Sequence, residues 1–238
     1  IDPDGYVWIS GNGQDDNMVL KFTKKGELKL QIGSASPSRG SNDKSQLGKP
    51  ANMNVDPVAN EVYVADGYTN KRVIVFDSIT GVYKRHWGAY GNRPADEVSN
   101  ISDPESPQFG NPVHCVRLMN DGTVLVCDRH NNRIQVFDKR GHYISQIEVE
   151  PSTRGNGSTW DLVPTDRTQR YILVADGTNN EIDVVSRETG HKVGSFGRSG
   201  RNAGDFHWVH SIAVDSRGNV YTGEVDDGKR LQKFTRTK

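Results

Sequence analysis

The sequence predicts an all-β protein, a β-propeller built from four-stranded blades. Three observations carry this. One strand–turn–strand unit recurs five times along the 238 residues, at a spacing of roughly 45 to 65 residues, the range of a propeller blade. The chain holds 25 glycines and 10 prolines, as many short strands joined by tight turns require. Its hydrophobic fraction is only 33%, with no apolar run long enough for a membrane-spanning helix.

Each unit opens with a strand that ends in a turn. The turns are Asp2-Pro3-Asp4-Gly5, Asp56-Pro57, Asn120-Asp121-Gly122, Thr165-Asp166 and Asp215-Ser216-Arg217-Gly218. Asp, Asn and Gly stop strands there because their side chains bond the turn backbone or, for Gly, tolerate positive φ. A second strand follows each turn: residues 6–10, 61–65, 123–127, 171–175 and 219–223. These alternate and are rich in Val, Tyr and Leu, as half-buried strands are. A polar loop comes next, Asp66 to Arg72, Asp128 to Arg133 and Asp176 to Glu181 in three copies. The third strands are 19–22, 73–76, 134–137, 182–185 and 231–234. A Gly turn and a fourth strand complete the unit, as in Gly141 to Ile147.

Two connections exceed the period, residues 33–50 and 88–112. Both join a fourth strand to the next first strand, and surface decoration is the plainer reading of them. The chain opens on the end of a strand and closes after a third strand. It is read as a single domain over residues 1–238, truncated at the amino terminus: most of a six-bladed ring whose first blade lies outside the sequence. A five-bladed ring is the alternative. Lys plus Arg equals Asp plus Glu at 30 each. This zero formal charge argues against nucleic acid or an anionic membrane as the main partner. Two cysteines, Cys115 and Cys127, are too few for a disulfide scaffold. They fall on neighbouring strands of one hairpin, and the turn register decides whether they face each other.

In a propeller the first strand of each blade lines the central channel. The linkers and the loops between second and third strands share one face. His114 and His210 fall at the linker end of first strands, in Phe109-Gly110-Asn111-Pro112-Val113-His114 and Phe206-His207-Trp208-Val209-His210. Tyr68 falls in a loop on that same face. The other copies offer Ala51 and Trp160 at the histidine position. Histidine on alternate blades, with a third alternate blade outside the sequence, fits a three-imidazole catalytic-type zinc site with an open position. Two such histidines can equally bond channel waters or backbone carbonyls. The repeated acids Asp66, Asp128 and Asp176, with Asn70, Asn132 and Asn180, read as structural because every copy has them. Arg72, Arg133 and Arg230 read as exposed partners of those acids. Trp87, Trp160 and Trp208 can form an apolar rim for a ligand or pack between blades. There is no Gly-rich phosphate loop.

The segments Ala65 to Phe76, Trp87 to His114, Asp128 to Phe137 and Phe206 to Ala213 resemble NHL repeats. More narrowly they resemble peptidyl-α-hydroxyglycine α-amidating lyases and their bacterial relatives, over nearly the whole chain. The resemblance implies zinc held by His114 and His210 and a catalytic Tyr68 in Asp66-Gly67-Tyr68-Thr69-Asn70-Lys71-Arg72. It implies cleavage of a peptidyl-α-hydroxyglycine, or a related small carbinolamide, to an amide and glyoxylate. A peptide or small molecule is then the substrate, with Trp208, Arg72 and His130 as substrate-binding candidates. Ser211 stands where the lyases carry a calcium-holding aspartate, which speaks against calcium. Gly48 and Thr69 occupy positions where the animal enzymes pair cysteines. The resemblance also implies an extracytoplasmic or secreted protein. The alternative is a non-catalytic NHL propeller that binds a protein or peptide through its loop face.

Overall fold

The computed structural model describes residues 1–97 and 102–237. Its eighteen strands form five antiparallel sheets. The first holds β1 (Val7–Ser10), β2 (Met18–Phe22) and β3 (Leu28–Gly33). The second holds β4 (Asn52–Asp56), β5 (Glu61–Asp66), β6 (Arg72–Asp77) and β7 (Tyr83–Trp87). The third holds β8 (Val113–Leu118), β9 (Val124–Asp128), β10 (Arg133–Phe137) and β11 (Tyr143–Glu148). β12 (Asp161–Pro164), β13 (Tyr171–Asp176), β14 (Glu181–Ser186) and β15 (Lys192–Phe196) make the fourth. β16 (Val209–Val214), β17 (Val220–Glu224) and β18 (Leu231–Phe234) make the fifth. The second and third strands of each copy fall within a residue of their predicted bounds.

This is a β-propeller with five blades, the five-bladed alternative of the sequence reading. Five repeats yield five sheets among the described residues, which does not support the six-bladed expectation, and the first and last of these have three strands rather than four. Of the predicted 88–112 linker, residues 98–101 lie outside the described residues. No helix among the described residues is long and apolar enough to cross a membrane.

Contacts group the chain into two compact units. The first comprises Ile1–Asn100, Ser106–Asp128 and Gln135–Ser145; the second comprises Ile101–Glu105, Arg129–Ile134 and Gln146–Lys238. The first unit holds two apolar clusters. One joins Val19, Leu47, Val62, Val64, Ile74 and Phe76. The other gathers Tyr63, Val73, Val75, Trp87, Phe109, Val113, Val126 and Phe137. The core of the second unit includes Leu173, Ile182, Phe206, Val209 and Ile212. Alternation explains these sets, because every second residue of a strand faces the neighbouring sheet. Burying each such Val, Ile or Phe contributes roughly 1.5–3 kcal/mol.

Cys115 and Cys127 stand directly opposite across β8 and β9 and form a disulfide, with Cα atoms 4.8 Å apart. The pairing register settles what their spacing alone left open.

Candidate active site

The sharpest feature of the first unit is a hydrogen bond between the Tyr68 hydroxyl and Nε2 of His114, 3.1 Å long. Their rings meet edge to face with centroids 5.7 Å apart. His114 is buried. Two devices bring them together. The loop after β5 reaches β8 because residue 67 is glycine: a Cβ there would lie 2.0 Å from the carbonyl oxygen of Val113. The Asn111 side-chain amide then donates to the Tyr68 carbonyl at 2.7 Å. Asn111 precedes a cis bond to Pro112. The loop is also tied at its base, where Thr69 N donates to the Gly48 carbonyl at 2.9 Å. A Cβ on Gly48 would meet Thr69 Oγ1 at 2.6 Å, so these two positions are neighbours.

His114 is not at an ordinary strand position. Val113 pairs with Asp128 and Cys115 with Cys127, so His114 is the extra residue of a β-bulge. His210 is the same: Val209 pairs with Glu224 and Ser211 with Gly223. β4 and β12 pair with their neighbours without a register shift. Ala51 and Trp160 therefore match Val113 and Val209, and the histidines have no counterpart in β4 or β12. This corrects the simple residue-for-residue register read from the sequence. A bulge re-aims a side chain that regular pleating would send elsewhere.

Arg72 is placed differently from its sequence reading. It is fully buried and pairs with the equally buried Asp66 at 2.8 Å. It donates to the carbonyls of Ser41 at 2.9 Å and Gln46 at 2.7 Å, and also to that of Asp43. Its donors are spent on the 33–50 connection, so it supports the Tyr68 loop and presents no face to a ligand. Asp66 also accepts from Gly48 N at 2.6 Å and Asn70 Nδ2 at 2.8 Å. Arg133 is buried as well, and only Arg230 keeps the partial exposure expected for this set, in its pair with Glu224. The 33–50 connection is bound to the 88–97 stretch in turn, through Asn42 Nδ2 to the Pro94 carbonyl at 2.9 Å and Ser41 N to Asp96 at 3.0 Å.

In the second unit His210 lies edge-on to Trp160, with centroids 5.5 Å apart, and Trp160 meets Trp208 in the same way at 5.5 Å. The Arg129 guanidinium lies over the Trp160 ring at 4.3 Å. Burial lowers the His210 pKa; Asp161 opposes this and Arg129 adds to it. The imidazole is thus kept neutral, the form that can accept a proton or a metal. Trp208 adopts φ of 57°, held by Asn180 Oδ1 on its N–H at 2.7 Å. Of the three tryptophans, Trp87 and Trp160 are core residues, and Trp208 alone is half-buried. His130 is also half-buried, and its Nε2 is enclosed without a hydrogen bond.

The asparagine pattern is less uniform than the repeat suggests. Asn70 bonds Asp66, but Asn132 Nδ2 donates to the Thr153 carbonyl at 2.9 Å, and Asn179 rather than Asn180 serves Asp176 at 2.7 Å.

The donor set present falls short of the zinc site that the lyase resemblance implies. Among the described residues, the one group of three or more His, Cys, Asp or Glu ligands with its atoms within 4.8 Å is Glu150, Glu181 and Asp183. The Lys192 ammonium already bridges these carboxylates at 2.7 to 2.8 Å. Neither His114 nor His210 belongs to such a group. Sequence reasoning missed this acidic cluster; its signal is Glu181, which stands opposite Asp176 where the second sheet sets Arg72 opposite Asp66.

Residues 113–137 match the family model "NHL repeat". Over its full length the chain is 30% identical to peptidyl-glycine alpha-amidating monooxygenase A of Xenopus laevis, of which it covers 24%. It is 23% identical, over 98% of its length, to a probable peptidyl-alpha-hydroxyglycine alpha-amidating lyase of Caenorhabditis elegans, covering 61% of it. Among solved structures, virginiamycin B lyase from Staphylococcus aureus superposes with a TM-score of 0.60 at 15% identity, covering 99% of this chain and 68% of that one. The last likeness shows the fold alone. The chain spans about a quarter of the curated monooxygenases it matches. The fold defines the class as an all-β propeller, and one stretch of it, residues 113–137, matches an NHL repeat. Within that class the chain resembles the amidating lyases.

Proposed function

We propose that this chain is a lyase-type propeller that cleaves a carbinolamide of the peptidyl-α-hydroxyglycine class. The observation that carries the reading is the Tyr68–His114 hydrogen bond of 3.1 Å, a phenol set against a buried imidazole. A phenol near pKa 10 is a weak base at neutral pH, and a paired imidazole removes that difficulty. As the substrate hydroxyl gives its proton to the Tyr68 oxygen, the phenol proton passes to Nε2 of His114. The carbonyl of the aldehyde product forms and the carbon–nitrogen bond breaks. The departing amide nitrogen recovers one proton through the same pair, so the pair ends as it began. The relatives' names support this class of substrate.

Zinc, which the resemblance implies at His114 and at His210, is kept within the proposal as a separate part, and no step above is routed through it. Metal analysis of H114A and H210A, purified without chelator, reads this part separately: zinc retained in both variants removes it. Activity is tested with α-hydroxyhippurate, following glyoxylate release. The expected result is turnover that falls at least 100-fold in Tyr68→Phe, with the fold intact by circular dichroism. No glyoxylate from the native chain defeats the lyase reading. An extracytoplasmic location is part of the same proposal, supported by the Cys115–Cys127 disulfide, since such bonds persist in oxidising compartments.

One observation favours the alternative, a propeller that binds a protein or peptide. The 33–50 and 88–97 stretches are fastened to each other and to Arg72, which gives the first unit a pre-ordered loop surface. Stable capture of an unmodified peptide with no glyoxylate formed would select that reading.

A further inference from the structure

The fourth sheet departs from its neighbours in the charge it buries. In the second sheet the buried Asp66 is answered by Arg72 at 2.8 Å. In the fifth, Glu224 is answered by Arg230 at 2.8 Å. In the fourth the residue opposite Asp176 is Glu181, a second acid. Asp176 is fully buried, and its carboxylate accepts from Asn179 N at 2.9 Å and Asn179 Nδ2 at 2.7 Å, both neutral donors.

A third acid, Asp183, lies two residues beyond Glu181 on β14. Alternation puts both on one face of the strand. Val185 is next on that face and pairs with Lys192 of β15. The Lys192 ammonium therefore reaches Asp183 at 2.7 Å and Glu181 at 2.8 Å. Glu150, from the segment after β11, meets the same ammonium at 2.7 Å. Glu150 holds a left-handed φ of 46°, which a residue other than glycine keeps only where its surroundings impose it. One oxygen from each of the three carboxylates lies within 4.8 Å of the others.

One ammonium does not balance this site. Asp183 is fully buried, and its Oδ2 is enclosed and accepts no hydrogen bond. Buried polar atoms are nearly always satisfied, and a buried charge needs a partner. Burial pushes the Asp183 carboxyl up to about 6; Lys192 opposes this, and Glu181 and Glu150 add to it. Lys192 is the movable member, since 32% of its side chain is exposed and opens a way to solvent. Donors that are all carboxylate oxygens suit a hard divalent cation. Calcium takes them in flexible geometry and completes its shell with water, whereas zinc favours nitrogen and sulfur.

We propose that Glu150, Glu181 and Asp183 form a calcium site whose place the Lys192 ammonium holds until the ion displaces it. Calcium then supplies the cation that Arg72 and Arg230 supply in their own sheets. It also fastens the turn at 150–153 to β14, adding to the neutral tie from Asn179 Nδ2 to Thr153 Oγ1 at 2.9 Å. The site is distinct from Ser211, which lies on β16. The inference does not depend on the lyase reading, because none of these residues serves that chemistry and the test is read without activity.

The test is a calcium titration of the chelator-stripped 238-residue protein, followed by urea midpoint and by calorimetry. The expected result is a midpoint that rises with calcium concentration, with half-saturation at about 0.1–1 mM, the range of extracellular calcium modules. Lys192→Gln removes the competing ammonium and should bind calcium at least tenfold more tightly, since no fraction of the protein then has to release the lysine first. Glu150→Gln, a change in a partly exposed turn that leaves the strands intact, should weaken binding at least tenfold. No rise in midpoint for either the native chain or Lys192→Gln at about 10 mM calcium overturns the proposal. So does an unchanged calcium response in Glu150→Gln, or an equal rise with sodium chloride at matched ionic strength.

Discussion

At the scale of single residues, the candidate chemistry rests on positions that break the pattern of their own repeat. Tyr68 occupies a loop position filled by Arg129 and Thr178 in other copies, and it is the one that meets a histidine. Asp176 is another departure. It is fully buried, and burial pushes its pKa up to about 7, with Asp183 and Glu181 adding to the rise and the bonds from Asn179 opposing it. The unfolded chain titrates near 3.8. A folded pKa above the unfolded one means that the folded state holds the proton more tightly. The stabilisation is complete below the unfolded value and is lost as pH rises through about 7, at most about 4 kcal/mol. Urea melts at pH 5 and pH 8 should show this loss, and Asp176→Asn should flatten it and raise stability at pH 8. An unchanged pH slope in that variant would remove the assignment.

At the scale of elements, the buried Asp66–Arg72 pair holds β5, β6 and the 33–50 connection in one arrangement. Removing one partner leaves a charge buried without compensation, which costs about 3–5 kcal/mol. Arg72→Met should therefore lower the urea midpoint by that order. It should also weaken any Tyr68-dependent turnover, through the loop rather than through contact with substrate. Gly67→Ala acts on the same loop by steric conflict with Val113; it should lose the Tyr68–His114 contact, read as loss of glyoxylate formation with β-sheet circular dichroism retained. The disulfide spans 12 residues of one hairpin. A closed loop of that size stabilises by about 3 kcal/mol, so reduction should lower the thermal midpoint without changing the strand content.

At the scale of the whole molecule, equal numbers of basic and acidic residues give a formal charge of zero at pH 7 and an isoelectric point near 7.2. Proteins are least soluble where net charge vanishes. Solubility should therefore pass through a minimum between pH 7 and pH 7.5, and electrophoretic mobility should change sign there. A minimum far from neutrality would mean that the buried carboxylates carry charges other than their usual ones, with Asp176 the first to examine.

The sequence by itself determined the strands, the turns between them and the five-fold repeat. Period-two alternation and Asp-Gly turns are local properties of a single segment, legible wherever they occur. It also placed Tyr68 and His114 together, because strand order fixes which loops share a face. Only the tertiary structure decided the rest. That His114 and His210 are bulge residues depends on how two strands register, which neither strand encodes alone. That Arg72 is buried rather than exposed depends on the distant Ser41, Asp43 and Gln46 carbonyls that surround it. That Cys115 meets Cys127 depends on the same register that carries the bulge. In each case the deciding contact joins chain segments that only pairing and packing bring together.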